Sequence, residues 1–137
     1  MSEQKLRYKR PESVLVVVHT NEMALLMERI APPVFWQSVT GALEWGEQPG
    51  VAARRELEEE TGISGVPIRS TGIIRNFDIF ESARRFYQPG VRRNREHVFY
   101  CHLQAPVEVR LSAQEHLSLI HIPSPRDKRQ SRMPSSA

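Results

Sequence analysis

The sequence is poor in cysteine, in aromatic residues and in long apolar runs. Of its 137 residues, one is cysteine and 7% are Phe, Trp or Tyr. Cys101 cannot close an intramolecular disulfide by itself, which favours a reducing compartment, and we expect a cytoplasmic protein. The first apolar run, residues 14–18, is too short for the core of a signal peptide or for a membrane helix. We therefore expect no membrane partner.

The charge of the chain is concentrated near its end. Residues 118–137 carry four of the 19 Lys and Arg and one of the 16 acids, so 15 of each sign precede them. A neutral body gives no electrostatic reason to expect a nucleic-acid partner. Residues 118–137 are rich in Pro and Ser and resemble translated sequencing adaptor. We expect one domain over residues 1–117, followed by a disordered, non-native tail over residues 118–137.

Strand-type residues lie on both sides of one predicted helix. The β-branched run at residues 13–19 and the run at 23–29 predict a hairpin. Pro49 suits a first helical turn and Gly62 suits the position just past a helix end, which predicts a helix between them. Further strands are predicted at 35–40, 66–80, 96–103 and 107–111, and loops at 41–46 and 82–95. This order predicts an α+β or α/β/α fold in which a helix packs on a mixed sheet.

The predicted helix carries a cluster of carboxylates. Glu56 and Glu60 are four residues apart and share one face, and Glu59 lies about 60° around the axis from Glu56. Arg55 precedes Glu59 by four residues and can pair with it. Taken alone, such a run is more typical of a solvated helix face. Hard oxygen ligands in excess over nearby cations, however, also suit Mg²⁺, or Mn²⁺, bound together with substrate phosphates.

The spacing around this helix resembles the Nudix box, with every fixed position of the pattern filled. It contains Gly41, five residues, Glu47, seven residues, Arg55-Glu56-Leu57, one residue, Glu59-Glu60, one residue and Gly62-Ile63. The resemblance implies an α/β/α sandwich whose loop–helix–loop binds a divalent metal, with Glu56 and Glu60 as ligands, Glu59 as a further candidate and Arg55 orienting the cluster. It also implies that Gly41 permits a close turn and that Gly62 permits the helix exit.

Further segments, at residues 8–11, 35–41, 77–80, 87–91, 93–94 and 115–117, also look like one group of this family. With them the resemblance extends over residues 7–117, to the Nudix enzymes that hydrolyse dihydroneopterin triphosphate in folate biosynthesis. It implies Mg²⁺-dependent release of pyrophosphate, which leaves dihydroneopterin monophosphate. It also implies that Glu115 joins the metal site and can serve as the base. The implied substrate-contacting residues are Lys9, Arg29, Thr40, Phe77, Asp78, Ile79 and Phe80. Because residues 118–137 do not resemble the end of these enzymes, we expect the sandwich to lack its C-terminal helix.

Two alternatives remain open at this point. The first is a Nudix hydrolase of the nucleotide pool, which acts on (d)NTPs. The second concerns the arginines at residues 84–95, which either close over substrate phosphates or simply lie in a solvated loop. In either case the expected partner is a small polyphosphate. The sequence leaves the oligomeric state and the identity of the base open.

Overall fold

The predicted hairpin is present with nearly the expected bounds. The computed structural model describes residues 7–29, 36–105 and 116–123. Strand β1 spans Glu12–His19 and β2 spans Met23–Arg29, and His19 pairs with Ala24. The Thr20 hydroxyl accepts the backbone N–H groups of Glu22 and Met23 at 3.2 and 3.0 Å. This side chain satisfies two donors of the turn and fixes where β2 begins.

A mixed sheet organises the described part of the chain. Its order is β3-β2-β1-β6-β5, with β4 paired to β1 and β7 paired to β2. The strands after the hairpin are β3 (Trp36–Gln37), β4 (Val39–Ala42), β5 (Arg69–Asp78), β6 (Arg93–His102) and β7 (His116–Pro123). The β1–β6 pair is parallel and the other pairs are antiparallel. The expected mixed sheet is confirmed.

Strands β1 and β2 diverge, and β3 and β4 fill the gap between them. Since β6 pairs along the whole length of β1, β2 and β4 must share the other edge of that strand. The strand predicted at 35–40 is therefore two short strands. The loop predicted at 41–46 is wrong for Gly41 and Ala42, because their backbones pair with Val14 and Ser13. The consequence is that residues 40 and 41 lie inside the sheet rather than in a loop.

The predicted helix, α1, spans Pro49–Thr61. Pro49 occupies its first turn, and Gly62 ends it in the left-handed conformation, with φ of 79° and its N–H bonded to Glu58 O at 2.8 Å. Ala52, Ala53 and Leu57 are buried on one side of α1 and join the same core as the valines of β1. Burial of this apolar side holds α1 against the sheet. Among the residues described, α1 is the one α-helix.

Part of the segment predicted as a basic loop is regular structure. A 3₁₀ helix, Glu81–Phe86, follows β5, and β6 begins at Arg93, three residues earlier than predicted. The reason is the β5–β6 register, because Asp78 pairs with Arg93 and Phe77 with Asn94. The loop prediction for residues 82–95 is therefore wrong at both ends and holds only for the turn around residues 87–92.

The predicted disorder of residues 118–137 is wrong for 118–123, because His116–Pro123 forms β7. Its backbone pairs with β2 along the whole of that strand, from Met23↔Pro123 to Arg29↔His116, with a register shift between Glu28 and Arg29. An unpaired strand edge is a ready template for such pairing, and Ile120 and Ile122 have a high strand propensity. Residues 124–137 and the strand predicted at 107–111 lie outside the described residues. In the described part, no helix is both long and apolar enough to cross a membrane.

Candidate active site

The carboxylate of Glu56 lies directly against the backbone of β4. A Cβ atom at residue 41 would overlap the Glu56 carboxylate, so Gly41 leaves the space that this side chain occupies. The Glu56 side chain is 13% exposed. The expectation that Gly41 provides a close turn is corrected, because Gly41 is a strand residue and is not among the positive-φ glycines. Its role is steric, since it allows the helix carboxylate to reach the sheet.

Glu60 approaches the same strand one turn further along α1. Its carboxylate accepts the backbone N–H of Thr40 at 3.2 Å, and the residue is only 3% exposed. The Thr40 hydroxyl donates to Val14 O at 2.9 Å and so holds β4 to β1. The two carboxylates that the sequence assigns to metal binding therefore lie against consecutive residues of one strand. Burial of two acids side by side is costly unless hydrogen bonds or a cation compensate.

Arg55 connects the carboxylates of the loop before α1 and of α1 itself. Its guanidinium donates to both oxygens of Glu47 at 2.9 and 2.8 Å, to Glu56 at 2.7 Å and to Ala42 O at 3.1 Å. The Glu59 contact expected from spacing is present at 3.4 Å but is the longest of these, and the Glu59 side chain is 59% exposed. Arg55 thus fixes Glu47 and Glu56 more firmly than Glu59.

Electrostatics support this arrangement. Hydrogen bonds from Arg55 hold the pKa of Glu47 below its usual value, against a smaller opposing effect of burial. Reciprocally, hydrogen bonds to Glu47 raise the pKa of Arg55 further above its ordinary value. Both shifts favour the charged forms of the two groups. The bidentate geometry requires the planar fork of an arginine, which a lysine does not offer.

Arg10 anchors the loop between β4 and α1 from outside the Nudix box. It donates to the carbonyl oxygens of Glu44 and Glu47 at 2.9 Å each, and to the Glu12 carboxylate at 3.1 and 2.8 Å. The Glu12 carboxylate in turn contacts His97 of β6. Next to Arg10, Tyr8 O accepts the Trp45 indole N–H at 2.7 Å. Two residues that precede β1 therefore fix the loop that carries Glu47.

The donor set fits a hard divalent cation completed by other oxygens. In the described ranges, no three His, Cys, Asp or Glu side chains form a group that could hold a metal by themselves. Glu56 and Glu60 supply carboxylate oxygens beside the β4 backbone, in a space that a side chain at residue 41 would fill. Magnesium usually binds through one or two carboxylates plus water and substrate phosphates. Such a site therefore does not need a third protein ligand.

The predicted substrate residues lie mostly near the 3₁₀ helix. Lys9 donates its backbone N–H to Phe86 O at 2.7 Å, and its ammonium lies 5.9 Å from the Tyr87 ring. The Phe77, Ile79 and Phe80 side chains occupy the end of β5 and the residues after it, where Phe80 precedes the 3₁₀ helix. Phe77 is 39% and Phe80 64% exposed, whereas Ile79 is buried. The two phenylalanines are thus available for contact with a flat ligand.

Other predicted residues are less well placed or lie outside the described part. Asp78 is 81% exposed and lies 3.7 Å from Arg93. Glu115 lies outside the described residues. The backbone of Arg29 ends β2, but its side chain is outside the described part. Of the basic segment, Arg84 donates to Ile79 O at 3.2 Å and Arg85 lies over the Phe86 ring. These two arginines have protein partners and are not simply solvated.

Sequence reasoning missed the structural roles of Arg10, Glu47 and Glu96. Glu47 enters the sequence analysis only as a position of the Nudix spacing, but its contacts make it the main partner of Arg55. Arg10 lies 34 and 37 positions from the carbonyls that it contacts, so no local pattern could reveal it. Glu96 is a charged residue that is buried within a strand. The alternation in β6 could have marked it, since the exposed Arg93 and Arg95 alternate with the buried Asn94 and Glu96.

The fold and the site together define a class of protein. A mixed sheet carries one helix whose carboxylates are held by an arginine and a preceding glutamate, beside a glycine of the sheet. The family model for the NUDIX domain matches residues 9–123. The chain therefore belongs to the Nudix hydrolase family.

Two relatives and one solved structure indicate which members it resembles. The chain is 40% identical over 124 residues to dihydroneopterin triphosphate diphosphatase of Escherichia coli K12, covering 86% of this chain and 81% of the relative. It is 34% identical over 123 residues to an RNA pyrophosphohydrolase of Caulobacter vibrioides, covering 85% and 72%. The structure of the E. coli dihydroneopterin triphosphate pyrophosphohydrolase superposes with a TM-score of 0.75 at 36% identity, covering 84% and 82%.

Proposed function

We propose that this chain hydrolyses dihydroneopterin triphosphate to dihydroneopterin monophosphate and pyrophosphate, with Mg²⁺ or Mn²⁺ as cofactor. The observation that carries the proposal is the pair Glu56 and Glu60 against Thr40 and Gly41 of β4. This pair occurs in a chain 40% identical to an E. coli enzyme named for that reaction. Water attacks the α-phosphorus, the bond from that phosphorus to the α–β bridging oxygen breaks, and pyrophosphate leaves.

The carboxylates of α1 would hold the cation and position the attacking water. Glu56 and Glu60 are the proposed ligands, joined by Glu115. When bound, the divalent cation neutralises phosphate charge and lowers the pKa of water. Glu59 is the most exposed acid of the cluster and can accept the proton of that water, a role for which Glu115 is the alternative. Arg55 acts indirectly, because its bonds to Glu47 and Glu56 fix the direction of the ligand carboxylate.

The remaining predicted residues would bind the two ends of the substrate. Lys9, Arg29 and Thr40 are proposed to contact the triphosphate. The two cations suit phosphate oxygens, whereas the Thr40 hydroxyl donates its proton to Val14 O and can only accept, as from a water that bridges to the phosphates. The exposed rings of Phe77 and Phe80 are proposed to contact the pterin, since flat heterocycles stack on aromatic faces. Asp78 and Ile79 complete this segment, and burial of Ile79 fixes its backbone.

The proposal places the reaction in the cytoplasm and in folate biosynthesis. Cys101 is free and buried, and burial raises the pKa of its thiol, so it is an unreactive packing residue. Nothing in this chemistry requires a nucleic-acid or membrane partner. The substrate and both products are small anions.

The decisive experiment compares pyrophosphate release by the wild type and by Glu60→Gln, with Mg²⁺ and with EDTA. We expect metal-dependent release that falls by at least about a hundredfold in the variant, because loss of a metal ligand costs at least as much as loss of its supporting contacts. Glu58→Gln is the matched control, since Glu58 is on the exposed side of the same helix. Release that persists in EDTA, or in Glu60→Gln, would contradict the proposed site.

The alternative substrate class is tested in the same assay. If dATP is hydrolysed with a kcat/KM equal to or above that for dihydroneopterin triphosphate, the chain is a hydrolase of the nucleotide pool. If dihydroneopterin triphosphate is preferred, the pterin assignment is supported. Both outcomes leave the family assignment unchanged because the same carboxylates serve either substrate.

A further inference from the structure

The face of the sheet opposite α1 carries a row of polar side chains. Register partners in neighbouring strands point to the same face, so Arg75, Glu96, Ser13 and Ala42 form one row across β5, β6, β1 and β4. The core valines of β1 alternate with Ser13 and therefore face α1. Glu96 thus lies on an inner strand, between β1 and β5, on the side away from the Nudix helix.

Glu96 is a buried carboxylate whose negative charge is stabilised by few contacts. Its side chain is 9% exposed, and its ion-pair partner Arg75, at 3.6 Å, is itself 58% exposed. Within the described ranges, no hydrogen bond to the Glu96 carboxylate is present. Burial raises the pKa of Glu96, and Arg75 offsets this only in part. A buried acid without hydrogen-bond donors is unusual and requires an explanation, which can be a ligand that supplies the donors.

The neighbours of Glu96 suit a flat polar ligand. Asn94, two residues earlier in β6, points to the same face and donates from Nδ2 to Ser13 Oγ at 2.8 Å. Phe77 is the register partner of Asn94, and its ring is 39% exposed. An aromatic side chain therefore lies diagonally across from the carboxylate. Such an arrangement combines a stacking surface with an acceptor for the edge of the ring.

Glu96 is also at a suitable distance from the proposed phosphate site. Thr40 is the register partner of Leu15, so it lies on the same face, two strands across from β6 and two residues along from Ala42. With strand spacings near 4.8 Å and about 3.4 Å per residue, Glu96 and Thr40 are roughly 12 Å apart. This is about the length of a bicyclic ring with a short side chain. The Glu60 carboxylate accepts the Thr40 backbone N–H at the edge of β4 that does not pair with β1. A ligand whose phosphates lie at this edge can therefore place its ring edge at Glu96.

We propose that Glu96 is a specificity-determining residue that recognises the 2-amino-4-oxo edge of the substrate ring. This edge presents a ring N–H and an amino N–H side by side, and a carboxylate accepts two parallel hydrogen bonds. The inference rests on the proposed function and identifies how that site selects its substrate. It separates rings with this edge of amino group, ring N–H and oxo group, which pterin and guanine share, from rings that lack the amino group.

The first test compares GTP with ITP, which differ only in the 2-amino group, alongside dihydroneopterin triphosphate. For the wild type we expect kcat/KM to be about 10- to 100-fold higher for GTP than for ITP, as for other charge-assisted hydrogen bonds. In Glu96→Gln the GTP:ITP ratio should approach one, with most of the change in KM. Glu58→Gln should keep the wild-type ratio. An unchanged ratio in Glu96→Gln, or an equal loss of kcat for both nucleotides, would overturn the proposal.

The second test needs no variant. Pterin and lumazine differ at position 2, where lumazine carries an oxygen that a carboxylate repels. We expect pterin to inhibit the wild type at least about tenfold more strongly than lumazine does. Equal inhibition would overturn the role of Glu96, even if Glu96→Gln failed to fold. Failure of the proposed function is distinguishable, because it would appear as no turnover of dihydroneopterin triphosphate by the wild type, whatever the GTP:ITP ratio.

Discussion

At the scale of single residues, Gly41 and Glu56 are in such close contact that no side chain fits between them. Replacement of Gly41 by Ala should displace the Glu56 carboxylate, because the new methyl group would occupy its position. We expect kcat/KM to fall by about 10- to 100-fold, with weaker metal dependence, since supporting changes near a metal ligand have effects of this size. Gly50→Ala is the control, because a Cβ there meets nothing within 4 Å. Normal activity in Gly41→Ala would contradict the placement of Glu56.

The guanidinium of Arg55 is a second group of the site on which activity should depend. Arg55→Lys keeps the charge but loses the fork that binds both oxygens of Glu47 while also reaching Glu56. We expect kcat to fall by about tenfold or more with little change in KM, since the ground-state contacts to the substrate remain. Steady-state kinetics measure the split. Arg54→Lys, on the exposed side of α1, should behave as the wild type does.

At the scale of an element, the C-terminal end of α1 depends on Gly62, the residue that follows the helix. Gly62 has a φ of 79°, which an alanine adopts only with strain, whereas Gly50 lies in the first turn of the helix. We expect Gly62→Ala to lower the free energy of unfolding by about 1 kcal/mol and Gly50→Ala to raise it by about 0.5–1 kcal/mol. Urea unfolding measures both. Equal effects of the two substitutions would show that the conformation of Gly62 does not limit the helix end.

At the scale of the whole molecule, contacts of Arg10 and Glu12 join the start of β1, the loop before α1 and strand β6, and they make stability depend on pH. Burial alone would raise the pKa of Glu12, but hydrogen bonds to His97 and Arg10 outweigh it and lower the pKa. Because the folded pKa is below the unfolded one, this stabilisation is complete above about 4.5 and is lost as the pH falls through the folded value.

Glu12→Gln should therefore have a lower Tm than the wild type at pH 7, and the difference should shrink below pH 4.5. Thermal unfolding monitored by circular dichroism between pH 3 and pH 7 measures it. Glu22→Gln, in the exposed β1–β2 turn, is the control for a general loss of negative charge. A Tm difference that stays constant over this range would show that the Glu12 contacts are not responsible.

The sequence by itself determined the elements whose signals are local. The bounds of β2, the helix between Pro49 and Gly62, and the presence of a mixed sheet all follow from periodicity, proline and glycine. The side-by-side placement of Glu56 and Glu60 follows from the helical repeat alone. These features depend on residues within about one turn or one strand of each other, which is the range that patterns in a sequence can report.

Tertiary structure decided what those residues contact. Gly41 belongs to β4 rather than to a loop because β4 pairs with β1, and only that pairing brings Glu56 against it. The bonds of Arg10 to the loop before α1, and the burial of Glu96, depend on which strands become neighbours. Strand β7 forms because the edge of β2 is open to it. Pairing between distant strands depends on the free energy of the whole sheet, which no local pattern encodes.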